Sequence, residues 1–187
     1  MKLRSIFGLS SLAFCLISPL AMAKPLELFG APLANATRST LEPALQRAGL
    51  TPVQVGPKWW FDIYRVHGQL PGASKLLVGY TEHGHFAMAQ YVFPSFMNTQ
   101  LVEKVIHMVT DQYGAPSRSS GNPGLGGVTA VWNEGNGMEI RVTRGWPSTT
   151  TYLTLENVAN RQRMRAEMHQ QRAEQQKAQA KAHANAF

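Results

Sequence analysis

Cysteine is almost missing from this chain: Cys15 is the only one among 187 residues. A disulfide framework is thereby excluded, and so are thiolate catalysis and a Cys-ligated zinc site anywhere beyond position 15. Acidic residues are also scarce, 11 against 18 Lys plus Arg, which leaves a formal net charge of +7. Charged residues of both signs make up 16%, below the ~25% usual for soluble domains. The nine acids between positions 24 and 156 are scattered singly, so no pair marks the two sides of a glycosidase cleft. No apolar run reaches the ~20 residues that a membrane-spanning helix requires. There is no Gly-x-Ser-x-Gly elbow and no Ser-x-x-Lys set with its companions. The Gly-rich run 121–127 lacks the Lys-Ser/Thr ending of a phosphate loop and lies between a helix and a strand, the reverse of the usual order. What is present is apolar residues at 44%, enough for a core and too many for a wholly disordered chain.

Residues 1–23 read as a cleaved secretory signal peptide. Lys2 and Arg4 form a positive start, 6–20 is an apolar stretch broken by Gly8, Ser10, Ser11, Ser18 and Pro19, and Ala21-Met22-Ala23 supplies the small residues that a signal peptidase accepts. Phe14 precedes Cys15 where a lipid-anchored cysteine normally follows a small residue. Cleavage after Ala23 leaves a cysteine-free mature chain and places the protein in a periplasm or outside the cell.

The body, 24–156, is predicted to be an α+β domain written as two helix-β-β-β repeats, about 24–95 and 96–156. Leu41, Ala44, Leu45 and Ala48 share a helical face over 37–48, with Ser39 and Glu42 spaced as a capping box, before Gly49 and Pro52. Leu101, Val102, Val105, Ile106, Val109 and Tyr113 form a wider stripe over 98–113, ended by Gly114 and Pro116. Strands are expected at 59–67, 75–81, 85–93, 127–133, 138–143 and 149–155. Their assembly would be an antiparallel sheet of about six strands with both helices on one face. The other face would stay open, lined by Glu139, Arg141 and Thr143, which alternate with Met138, Ile140 and Val142. In outline this resembles the saddle-shaped tandem-repeat proteins that bind partners on an open sheet, the β-lactamase inhibitory proteins among them; no motif carries residues across.

The tail, 157–187, has neither Gly nor Pro and is rich in Gln, Ala, Arg and His. It is expected to be a polar helix or disordered, without the sustained heptads of a coiled coil. Met164 and Met168 at helical spacing suggest a docking segment. Lys2 and Arg4 belong to the leader, and the tail carries six basic residues against Glu167 and Glu174. The body is therefore close to neutral, and attraction to acidic partners falls to the tail through Arg161, Arg163, Arg165 and Arg172.

Two local clusters are candidate sites. His83-Gly84-His85 could chelate one ion through two imidazoles, although no third ligand is placed by spacing. The run Trp59-Trp60-Phe61 with Tyr64 is the densest aromatic cluster; on a strand Trp60 and Tyr64 would share a face and could stack on sugar rings or act as a protein hot spot. No cofactor is expected. The function that follows is that of an exported, non-catalytic binding protein acting on another envelope or periplasmic protein, as an inhibitor, immunity-type or assembly factor. A binder of cell-wall glycan or of an anionic envelope surface is the alternative, with a hydrolase of unrecognised site behind it. Nucleic acid is excluded by compartment and by the neutral body.

Overall fold

The computed structural model describes residues 25–184. The leader read at 1–23, with Cys15, lies outside the described residues. A small hairpin opens the fold, β1 (Glu27–Leu28) against β2 (Ala31–Pro32). Then comes α1 (Arg38–Arg47), followed by four strands: β3 (Thr51–Gln54), β4 (Phe61–Arg65), β5 (Lys75–Tyr80) and β6 (Phe86–Phe93). The order repeats with α2 (Gln100–Tyr113) and the strands β7 (Arg118–Gly121), β8 (Val128–Asn133), β9 (Met138–Arg144) and β10 (Thr151–Asn157). A long helix, α3 (Val158–Ala184), closes the chain.

The main sheet has eight antiparallel strands in the order β3-β4-β5-β6-β10-β9-β8-β7. α1 and α2 are thus each followed by a four-stranded meander, and the meanders join through their last strands, Thr151 opposite Phe93 through Glu156 opposite Met88. This corrects the expectation of six strands and two helices. The two additional strands are the edges, β3 and β7. Both are four residues long, and seven of their eight residues are exposed. An edge strand with neither face covered carries no alternation of apolar and polar residues, so Thr51-Pro52 and Arg118 to Gly121 read as connections. The third helix, α3, adds a layer that was not expected on the sheet.

One core lies between the sheet and α1 and α2. Leu41 and Leu45 of α1, and Val102, Val105 and Val109 of α2, meet Tyr64, Leu76, Val78, Tyr91, Phe93, Trp132, Ile140, Val142 and Leu153. A second, smaller cluster lies on the opposite face, where Met164 of α3 packs with Ala87, Met88, Trp60 and Phe61. β6 is therefore covered on both sides and is apolar almost throughout. The cap of α1 also differs from expectation. Thr37 stands at the N-cap, and its N–H donates to the Thr40 hydroxyl at 2.9 Å; Ser39 and Glu42 do not form the box.

Candidate functional site

The site is built where α3 lands on the sheet. The chain leaves β10 and turns at once: the Asn157 side chain accepts the Asn160 N–H at 3.0 Å, and Val158 N–H donates to Gly137 O at 2.9 Å. The Asn160 amide then donates to Phe86 O at 2.9 Å, tying the first turn to β6. One turn further, Met164 is buried over Gly79 of β5. A Cβ at Gly79 would lie 2.9 Å from the Phe61 ring, 3.0 Å from the Met164 sulfur and 3.1 Å from Met88. The glycine is what lets the helix approach this closely. Beyond it, Glu167 accepts the Glu82 N–H and Gln171 accepts the Trp60 indole N–H, each at 2.8 Å. Past Gln171 every described residue of α3 is exposed.

The loop that offers Trp60 to α3 is held from the other side of the sheet. Asp62, fully buried, accepts the Gly56 N–H at 3.0 Å and pairs with Arg38 at 3.2 Å. Arg38 also donates to Trp59 O at 2.6 Å and stacks over the Tyr80 ring at 4.5 Å from its centroid. Burial raises the Asp62 carboxyl above its ordinary range, against the opposing pull of Gly56 N–H and Arg38. Burial likewise raises the Tyr64 and Tyr80 hydroxyls, both without a hydrogen-bond partner, with the nearby Asp62 charge adding to the effect. The cluster is structural in its geometry: it fixes the turn through 56–60 and so the Trp60–Gln171 contact.

Between α3 and the sheet runs an open groove of about 560 Å³. Its floor is Phe61, Leu77, Met88 and Gln90; its wall is one face of α3, with Arg161, Arg165, Met168, His169 and Arg172. Arg161 is committed to Glu156, which is also 3.6 Å from Arg141. Burial foremost, then the neighbouring Arg165 and Arg141 charges, lowers the Arg161 pKa to about 10, against the opposing pull of Glu139. Among the described residues, Arg165 and Arg172 form no ion pair. The groove therefore presents free cations above an apolar floor, an arrangement that favours an anionic group attached to an apolar one.

The residues expected from sequence fall in different places. Tyr64 is fully buried against the α1 side, whereas Trp60 is half-buried on the α3 side. They do not form a common exposed platform, because β4 begins only at Phe61 and Trp60 belongs to the preceding turn. Glu139, Arg141 and Thr143 lie on the sheet face opposite α1 and α2, all half-buried. Arg141 pairs with both Glu139 and Glu156, so its charge is already neutralised. His83 and His85 are exposed in the β5–β6 turn. Among the described residues no group of three His, Cys, Asp or Glu stands close enough to share a metal ion, so this pair has no third ligand. Of the tail arginines, Arg161, Arg165 and Arg172 line the groove, and Arg163 is exposed away from it. The floor residues Leu77, Met88 and Gln90 escaped the sequence reading, since strand residues facing a helix resemble any others in the core. Gly79, inside an apolar strand, was the available signal of a close approach.

No family model matches the chain, and no curated protein matches it. Among solved structures, it is similar to a DUF4309 family protein (YjgB) from Bacillus subtilis, with 18% identity and a TM-score of 0.44. That match covers 72% of this chain and 87% of the other.

Proposed function

We propose that the protein is an exported, non-catalytic binding protein that acts on another envelope or periplasmic protein, taking an acidic and partly apolar segment of it into the groove beneath α3. The observation that supports this is the pair Arg165 and Arg172, without ion-pair partners among the described residues, set above Phe61, Leu77 and Met88. A cationic wall steers and orients an anionic segment, and the apolar floor contributes the burial. The leader-like residues 1–23 support export. Binding of this kind weakens steeply as salt is added.

The test is recovery of partners from periplasmic extract on the full mature chain, wild type against the double charge reversal Arg165→Glu/Arg172→Glu. A stoichiometric partner that is lost in the variant, and lost in wild type at high salt, supports the groove. Repeated recovery of no partner at native protein levels, or of one indifferent to the variant, overturns it.

A further inference from the structure

Six large apolar side chains stand exposed among the described residues, and four of them, Phe96, Met97, Leu125 and Trp146, sit on loops at one end of the sheet. That end is defined by the register: Lys75 opposite Val92, Phe93 opposite Thr151, Thr151 opposite Arg144, and Arg144 opposite Val128. The loops are 94–99, 122–127 and 145–150. Phe96 is 91% exposed, Leu125 82%, Met97 80% and Trp146 68%.

These loops form one unit. Arg144, 2% exposed, donates to Thr99 O at 3.0 Å, to Pro123 O at 2.6 Å and to Gly126 O at 3.0 Å. Among the described residues no carboxylate pairs with it; its charge is spent on backbone carbonyls of two loops. The third loop is joined to the first by Met97 N–H donating to the Thr149 hydroxyl at 2.9 Å. Phe96 and Met97 both occupy left-handed backbone, φ 41° and 69°, a conformation that costs bulky residues energy. Here it turns two large apolar side chains outward.

The chemistry of the tip is selective. Residues 93–102, 119–133 and 145–155 contain no charged side chain. Exposed cations at this end include Arg65 and Lys75, paired across β4 and β5, and Lys104 near the start of α2. The carboxylate nearest in sequence is Glu103, in the first turn of α2. Protruding Trp, Phe, Met and Leu without charges, beside a basic pair, complement a bilayer interface with anionic headgroups. Lipid demands in addition that backbone carbonyls be satisfied internally, and Arg144 does this for three of them. The exposed basic pair Arg65 and Lys75 beside an uncharged apolar tip is what favours an anionic bilayer over a protein groove.

We propose that the three loops are a membrane-docking tip that inserts Phe96, Met97, Leu125 and Trp146 into the interface of an anionic bilayer, with Arg65 and Lys75 on the headgroups. This goes beyond the groove, uses none of its residues, and leaves the groove facing a partner while the protein sits on the membrane.

The test uses the full mature chain with vesicles of phosphatidylcholine, with and without phosphatidylglycerol, at ~0.15 M salt, where the exposed tail is partly screened. Wild type is expected to co-sediment with the anionic vesicles. Phe96→Ser/Trp146→Ser should bind at least about tenfold more weakly with an unchanged melting midpoint, because both side chains are exposed. Brominated acyl chains should quench Trp146 emission in wild type, and Trp146→Phe should keep the binding but lose that quench. Absence of vesicle binding overturns the proposal. So does binding indifferent to Phe96→Ser/Trp146→Ser but lost in Lys177→Gln/Lys181→Gln, which would assign adhesion to the tail. Self-association that the tip variant abolishes, without lipid binding, would assign the tip to a protein interface and also overturn it. The groove reading stands or falls separately, on Arg165 and Arg172.

Discussion

Arg144 ends an alternating strand, Met138 to Arg144, at a position whose companions Met138, Ile140 and Val142 all face the core. A buried arginine with no carboxylate partner is costly unless its donors are satisfied, and here backbone carbonyls from two loops take them. Replacing Arg144 with Met should destabilise the fold by about 3 kcal/mol, because charged hydrogen bonds are lost and carbonyls are left without donors. Lys should recover little of this, since a single ammonium cannot span Thr99, Pro123 and Gly126 together; urea denaturation reads both. Asp62 presents the opposite case, a buried carboxylate that has its arginine. Its pKa in the folded protein lies above the ordinary 3.8, so the folded state holds the proton more tightly than the unfolded chain. Its own contribution to stability therefore falls as pH climbs through the interval between 3.8 and the raised value. Asp62→Asn lacks that component. Denaturation at a series of pH values should show the variant gaining on wild type across the interval and running parallel to it on either side.

α3 is one helix with two characters. As far as Gln171 it is bound to the sheet through Asn160, Met164, Glu167 and Gln171. The exposed stretch 172–184 continues for about 20 Å, at 1.5 Å per residue, with no apolar stripe. A helix segment polar all round gains nothing from packing. Deleting 173–187 should leave stability within about 0.5 kcal/mol of the full chain. Deleting 158–187 should cost at least about 2 kcal/mol, from the burial of Met164 and of the surface beneath it. Thermal denaturation of the two truncations against the full chain separates these outcomes. The pattern of α2 was legible because its stripe is wide and regular: the spacing predicted 98–113 and the helix spans Gln100–Tyr113. The edge strands were not legible, because Thr51–Gln54 and Arg118–Gly121 are exposed at every position but Gln54 and strand pairing there is backbone chemistry that no side chain advertises.

Across the molecule, the functional features are distributed by face and end. α1 and α2 seal one side of the sheet, α3 shapes a cationic groove on the other, and the uncharged loops occupy the end at Phe93 and Arg144. The expectation of an open polar face was only partly a matter of sequence pattern. The alternation in β9 placed Glu139, Arg141 and Thr143 together on one side, but Glu156 and Arg161 then joined them in an ion-pair chain. Among the described residues no helix is long and apolar enough to cross a membrane; the proposed export rests on the leader-like residues 1–23. Mass spectrometry of the exported protein should find an N-terminus at Lys24. Retention of residues 1–23 would overturn cleavage at that point.

The order of residues along the chain settled the net charge of each region, the near-absence of cysteine, and the amphipathic stripes of α1 and α2, because these depend on composition or on neighbours three and four residues apart. It did not determine the sheet's width, the covering of β5 and β6 by α3, or the separation of Trp60 from Tyr64. Those depend on pairings between distant segments: β6 with β10, Gly79 with Met164, Trp60 with Gln171. The tail had the composition of a solvated helix, and only the close approach at Gly79 made its first half part of the fold. In the same way Arg144 reads as one more basic residue until the fold brings Thr99, Pro123 and Gly126 around it.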